Sequence, residues 1–157
     1  MRPNSSPLFF YQGAIYIICG YGCTQGGDSN DKLEGLTEYF GENGNLKISK
    51  NYKEGKQDGL SQWYYESGPL NYLENYKNGE LDGLYKWYYK DGQLETSKNY
   101  KEGELDGLFE MYFENGQLSS SGHYIDDKRV GLHEDYYEND QLKYSYFMKD
   151  GRQDGLS

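Results

Sequence analysis

The 157-residue chain carries 16 basic and 26 acidic side chains, a net charge of −10, and is 35% hydrophobic and 17% aromatic, with 21 glycines and 19 tyrosines. So few aliphatic residues cannot fill a two-layer core, and so many tyrosines are foreign to a disordered acidic chain, so one ordered domain remains, held by something other than a bulk apolar interior. Clustered Lys and Arg are missing, which argues against a sequence-independent grip on nucleic acid and against electrostatic binding to anionic lipid.

Residues 1–34 stand apart from the rest. After Arg2, the apolar run from Leu8 to Gly22 is too short and too interrupted for a membrane span of about 20 residues. It fits the h-region of a signal peptide. Cys23 to Asp31 is polar, without apolar periodicity, and reads as a tether. An apolar run, small residues, one cysteine and then a polar tether resembles a bacterial lipoprotein signal with Cys23 as the acylated residue, although Gly20 and Tyr21 stand where a leucine and a small residue are usual. This reading places the protein at the cell envelope, as a lipoprotein or a periplasmic or secreted chain. It would be cytoplasmic if the segment is not a signal. Contact with a membrane is expected only through that anchor. Cys19 and Cys23 could pair, but both lie outside the remaining sequence and say little about redox compartment.

From residue 35 onward the chain repeats. Gly-Leu pairs stand at Gly35, Gly59, Gly83, Gly107, Gly131 and Gly155, every 24 residues, which defines five full units, 35–58, 59–82, 83–106, 107–130 and 131–154, and the start of a sixth within 35–157. A constant period without insertion is the mark of a stacked array. Within each unit an aromatic stands at position six (Phe40, Tyr64, Tyr88, Tyr112, Tyr136), leucine at twelve (Leu46, Leu70, Leu94, Leu118, Leu142), and tyrosine or methionine at eighteen. Two strand-length runs per unit are separated by a tight turn, Asn-Gly or Asp-Gly in three units (Asn43-Gly44, Asp91-Gly92, Asn115-Gly116), Ser67-Gly68 in the second and Asn139-Asp140, without glycine, in the fifth. Asn-Gly and Asp-Gly are the signal of a type I′ hairpin. A second glycine (Gly55, Gly79, Gly103, Gly151) and then Asp-Gly close four of the five units. No stretch has room for a helix, so the expected fold is all-β, an elongated single-layer antiparallel meander of about ten strands.

Alternation assigns faces. Positions two and six, with Leu at twelve and Tyr at eighteen, form the expected core face. Position four, lying between them, is Glu38, Gln62, Lys86, Glu110 and Glu134, which fits that face poorly. The opposite face carries a second apolar set: Trp63, Tyr65, Trp87, Tyr89, Met111, Phe113 and Tyr137. Equivalent side chains in adjacent units should stand about 10 Å apart. That is too far for Trp63 to stack on Trp87, so the intervening strand, or a ligand, must fill the gap.

Units such as GLYKWYYKDGQLETSKNYKEGELD resemble MORN repeats in their bacterial variant form, over residues 35–157. The resemblance implies a single-layer twisted sheet and a role in protein–protein or membrane-associated scaffolding, usually without catalysis. Some bacterial relatives are labelled antitoxin components of toxin–antitoxin pairs. Departures gather late: Asp127 replaces the return-turn glycine, Val130 the boundary aspartate and Asp140 the hairpin glycine, so irregularity is expected near Asp126 to Val130.

Chemistry-bearing patterns are absent. His123 and His133 read as surface histidines on different strands, no phosphate loop or zinc spacing occurs, and Asp126-Asp127-Lys128 fails as a calcium loop because Lys128 takes a ligand position. Asp58, Asp82 and Asp106 are turn formers too far apart to share an ion. No cofactor or metal is expected. The first-ranked function is a non-enzymatic scaffold that docks an unidentified protein on the aromatic stripe, with self-association through an open sheet edge as a further option. The second is choline or carbohydrate recognition, since Gln62-Trp63-Tyr64-Tyr65 and Lys86-Trp87-Tyr88-Tyr89 superficially resemble choline-binding repeats. An enzyme ranks below both.

Overall fold

The computed structural model describes residues 16–19, 32–149 and 152–153. A strand β1 (Tyr16–Cys19) leads. The first unit supplies β2 (Gly35–Phe40), β3 (Leu46–Lys53) and a short arm β4 (Lys56–Gln57). Then come β5 (Gly59–Tyr64) and β6 (Leu70–Lys77), followed by β7 (Glu80–Tyr88) and β8 (Leu94–Lys101). A second arm β9 (Glu104–Leu105) precedes β10 (Gly107–Tyr112) and β11 (Leu118–Ile125). Finally come β12 (Lys128–Tyr136), β13 (Leu142–Lys149) and the arm β14 (Arg152–Gln153). All belong to one open antiparallel sheet in meander order, β4 and β9 lying off the main path. The ten long strands of the five units are those the periodicity requires, and the described residues contain no helix.

The two kinds of turn exchange the roles the sequence suggests. At Asn43-Gly44 only Gly44 has positive φ, +79°, while Gly44 N donates to Gly41 O at 2.9 Å, which makes a type I turn with a left-handed glycine after it. Asn43 Oδ1 accepts from Asn45 N at 3.0 Å, and Asp91 and Asn115 do the same for Gln93 N and Gln117 N, so these side chains set the turn by mimicking backbone. The type I′ turns are instead the returns. Both central residues have positive φ at Glu54-Gly55 (51° and 82°), Asn78-Gly79 (53° and 93°), Glu102-Gly103 (52° and 86°) and Asp126-Asp127 (46° and 63°).

A one-residue bulge overturns the expected face assignment. Trp63 pairs with Tyr72 but Tyr64 with Leu70, so Asn71 is extra, and every later residue of β6 changes face. Tyr52, Tyr76, Tyr100 and Tyr124 therefore sit opposite Gly35, Gly59, Gly83 and Gly107, on the face of positions three and five. The position-two leucines are not core. Leu36, Leu60, Leu84, Leu108 and Leu132 are 36–52% exposed. Charged residues at position four share that solvated face, which removes the apparent conflict. Within residues 32–149 no apolar side chain is buried, and the buried side chains are Thr37, Ser49, Ser61 and His133.

Adjacent units are joined along both margins as well as through the strands. Return-turn amides donate to the arm before them, Gly79 N to Gln57 O and Gly103 N to Leu81 O, both at 2.8 Å. Asp58 Oδ2 accepts from Asn78 N at 3.0 Å, so the boundary aspartate caps the next return turn. On the far margin Asn45 Nδ2 and Asn115 Nδ2 donate to Glu66 O and Glu138 O.

The unit boundary itself is a wide bulge. Asn75 opposes three residues, Asp82, Gly83 and Leu84, because Glu74 pairs with Tyr85 and Tyr76 with Leu81. Asn75 Nδ2 closes the gap on Leu84 O at 3.0 Å, as Asn51 does on Leu60 O at 2.7 Å. A side chain at Gly83 would also start at φ +112° with its Cβ 3.2 Å from that of Asn75. Between the fourth and fifth units this bulge moves by one residue, beside and not within the Asp126 to Val130 stretch where irregularity is expected: Ser121 pairs with Glu134 and His123 with Val130, leaving Gly122 opposite Gly131, Leu132 and His133.

Candidate functional site

The face of positions three and five carries the aromatic stripe. Cross-strand pairs lie on one side of a sheet, so the register Trp63↔Tyr72↔Trp87 places these three rings in a row. Tyr72 stacks on Trp63 at 4.3 Å between centroids and on Trp87 at 5.0 Å, near-parallel to both. The intervening strand thus fills the space between the two tryptophans. Tyr85 adds contacts to Tyr72 and Trp87 at 6.4 and 6.5 Å, and to Tyr100 at 6.1 Å. Lys50 Nζ lies 5.1 Å over the Trp63 ring, and Lys98 Nζ stands between Tyr85 and Phe109 at 5.6 and 5.8 Å.

Beyond Trp87 the row changes character. Met111 pairs with Thr96 and Ser120, and Asp135 with Ser120 and Tyr144, so Thr96, Met111, Ser120 and Asp135 interrupt the row of rings until Tyr144. Trp87 and Met111 remain 37% and 38% exposed, large apolar groups presented to solvent.

The stripe read from the sequence divides into two groups. Trp63, Trp87 and Met111 share the face. Tyr65, Tyr89, Phe113 and Tyr137 instead open the hairpin turns, their amides bonded to Pro69 O, Gln93 O, Gln117 O and Gln141 O. Tyr65 Oη donates to Tyr88 O at 2.7 Å and Tyr89 Oη to Tyr112 O at 2.8 Å, braces from one unit to the next. Phe113 has no hydroxyl to do so. Tyr137 is 49% exposed, with Lys143 Nζ 5.4 Å over its ring. Tyr72 and Tyr85 were not singled out in the sequence. The register of a hairpin with this turn puts Tyr72 opposite Trp63, a signal within reach once the turn type is known. Cys23 lies outside the described residues.

Nothing on this face is tuned for proton transfer. Burial, with the Glu74 carboxylate next in weight, pushes Tyr85 up to about 12, and burial together with a hydrogen bond to Glu74 Oε2 raises Tyr76 further. His133 is not the surface histidine expected: it is 3% exposed, stacked on Tyr146 at 5.7 Å, with Nε2 3.1 Å from His123 O. Desolvation lowers its pKa below the usual imidazole value. Among the described residues no group of three His, Cys, Asp or Glu side chains converges as a metal site, and no helix is long and apolar enough to cross a membrane.

Five segments, 33–54, 57–78, 81–102, 105–126 and 129–150, match the family model of the MORN repeat variant, at the same 24-residue spacing. No curated protein is similar enough in sequence to match. Among solved structures, the crystal structure of the GtfA/B complex bound to UDP and GlcNAc is similar at 13% identity and a TM-score of 0.32, over 94% of this chain and 28% of that one, a likeness too slight to carry an argument. The chain belongs to the MORN repeat variant family. Repeats of this family generally mediate protein or membrane-lipid interactions and are typically non-catalytic.

Proposed function

We propose that the chain is a non-enzymatic scaffold that docks a protein on the face running from Trp63 through Tyr72 and Trp87 to Met111. The observation that carries this reading is a braced aromatic stack whose Trp87 end, with Met111 beyond it, stays over a third exposed, next to Lys50 and Lys98 ammoniums that lie over rings. Rigid, exposed aromatics are the usual anchors of protein interfaces. Trp87→Ala tests it. The variant should keep its far-UV spectrum and lose the protein recovered with the parent chain in a pull-down from envelope fractions. An unchanged set of recovered proteins refutes the reading.

The envelope location belongs to the same proposal and rests on the sequence around Cys23. Intact mass measurement of the chain recovered from membranes should show an acylated N-terminal Cys23, and an unmodified Met1 terminus would remove the anchor. Choline recognition draws less support, because Tyr72 occupies the gap between the tryptophans that a quaternary ammonium would need. Tryptophan fluorescence titrated with choline or glycan fragments should stay flat.

A further inference from the structure

The junction between units is made four times inside this chain, each time by the second strand of one unit and the first strand of the next: Ile48↔Trp63, Tyr72↔Trp87, Thr96↔Met111 and Ser120↔Asp135. At the first and last of the long strands among the described residues that junction is handled differently. Tyr144 and Ser145 of β13 pair with β12, and among the described residues they have no partner on their other side. Tyr137, Leu142, Tyr144 and Phe147 are 49–60% exposed there. At the opposite end β2 is covered by β1, with Ile17 against Tyr39 and Ile18 against Glu38. The repeat would place Thr24 and Gln25 in those two positions, since they precede Ile48 and Ser49 by one period. β1 therefore fills the place of a second strand with residues out of phase with the array.

We propose that β1 is a stand-in for β13 of a second copy, and that β2, once β1 leaves, accepts that strand head to tail. Continuity with the internal junction supplies the geometry. Charge agrees with it: Lys143 repeats Lys47, whose ammonium lies 3.6 Å from Glu66, and the matching position on the second copy is Glu42. Tyr137 repeats Tyr65 and Tyr89, so its hydroxyl has a ready acceptor in the Phe40 carbonyl of the second copy. A junction related by translation does not close, so growth would be open-ended. Cleavage ahead of Cys23, the envelope reading above, would remove β1 and open β2, but the pairing itself does not depend on that reading.

The test uses the full chain carrying Ile17→Pro and Ile18→Pro, since proline cannot sustain the ladder of a paired strand. Sedimentation velocity should show the parent monomeric and the double variant associating with concentration, and adding Tyr144→Asp at the exposed end should lower the association at least tenfold. A double variant that stays monomeric, or association indifferent to Tyr144→Asp, overturns the proposal. A second arm leaves the chain intact and adds an excess of the synthetic peptide LKYSYFMK, the sequence of β13. Amide exchange at Tyr16–Cys19 should accelerate while β2 stays protected. Unchanged exchange at Tyr16–Cys19 overturns it independently of how the proline variant folds.

Discussion

The first three units and the last two solve the same boundary by different means. In the former, a wide bulge is closed by an asparagine amide that bonds across it, Asn51 to Leu60 O and Asn75 to Leu84 O, beside a glycine in the left-handed region. In the latter His123 stands at the asparagine position, the bulge slides by one residue, and the gap is filled by the His133 ring lying over Gly122. The lesson is that a repeat fixes the opening its strands leave, not the group that stops it. A directional hydrogen bond and a packed ring are interchangeable there, but they fail in different ways.

The comparison breaks most sharply at Gly122. A Cβ at that position would begin 2.0 Å from His133 Nδ1, so Gly122→Ala should cost about 3 kcal/mol in urea unfolding. Adding His133→Ser, which restores the small residue found at Ser61, should recover most of that loss; no recovery would mean the ring is not the obstacle. Next in size is Tyr72→Ala, which removes two stacked contacts and should cost about 2 kcal/mol, whereas Ser120→Ala, at the same position two units later, should be nearly silent. A measured difference under about 0.5 kcal/mol between them would show the stack to be passive.

Asn75→Ala should cost about 1 kcal/mol, the worth of one hydrogen bond across the bulge, while His123→Ala, its counterpart in the displaced bulge, should change stability by less than about half of that. Equal losses would erase the distinction between the two halves. The smallest effect concerns pH. The pKa of His133 is lowered in the folded state, chiefly by burial, so its contribution is complete above the unfolded value near 6.5 and is lost as pH falls below it. The stability gap between the parent and His133→Ser should therefore narrow from pH 7.5 to pH 5.5, and a gap that stays constant over that range would refute it.

Period, strand count and hairpin order are legible because glycine and leucine mark them in every unit, and the replaced turn residues Asp127 and Val130 stand next to the displaced bulge without marking its position. Faces are not. Simple alternation treats Asn71 as an ordinary strand residue, and one unsignalled bulge reverses the parity of all that follows, putting Tyr76 on the face of Trp63 and leaving the position-two leucines without their expected core partners. The turn types were exchanged for a related reason: Asn-Gly serves a type I turn through its side-chain bond as readily as a type I′ turn through its backbone. Of the stripe, Trp63, Trp87 and Met111 were placed on one face correctly, while Tyr65 and Tyr89 turned out to be braces. His133 was missed because its burial depends on a side chain that Gly122 lacks, a property of a neighbour and not of the histidine.

Within residues 32–149 every apolar side chain keeps part of its surface in water, and order comes from paired backbone and stacked rings. Exposing hydrocarbon on unfolding raises heat capacity, while exposing peptide lowers it. A chain that hides much peptide and little hydrocarbon should therefore unfold with an increment below the usual 12 or so cal/mol/K per residue. Its stability curve would then be only gently bowed, and scanning calorimetry would record a small step between the heat capacities of the folded and unfolded baselines.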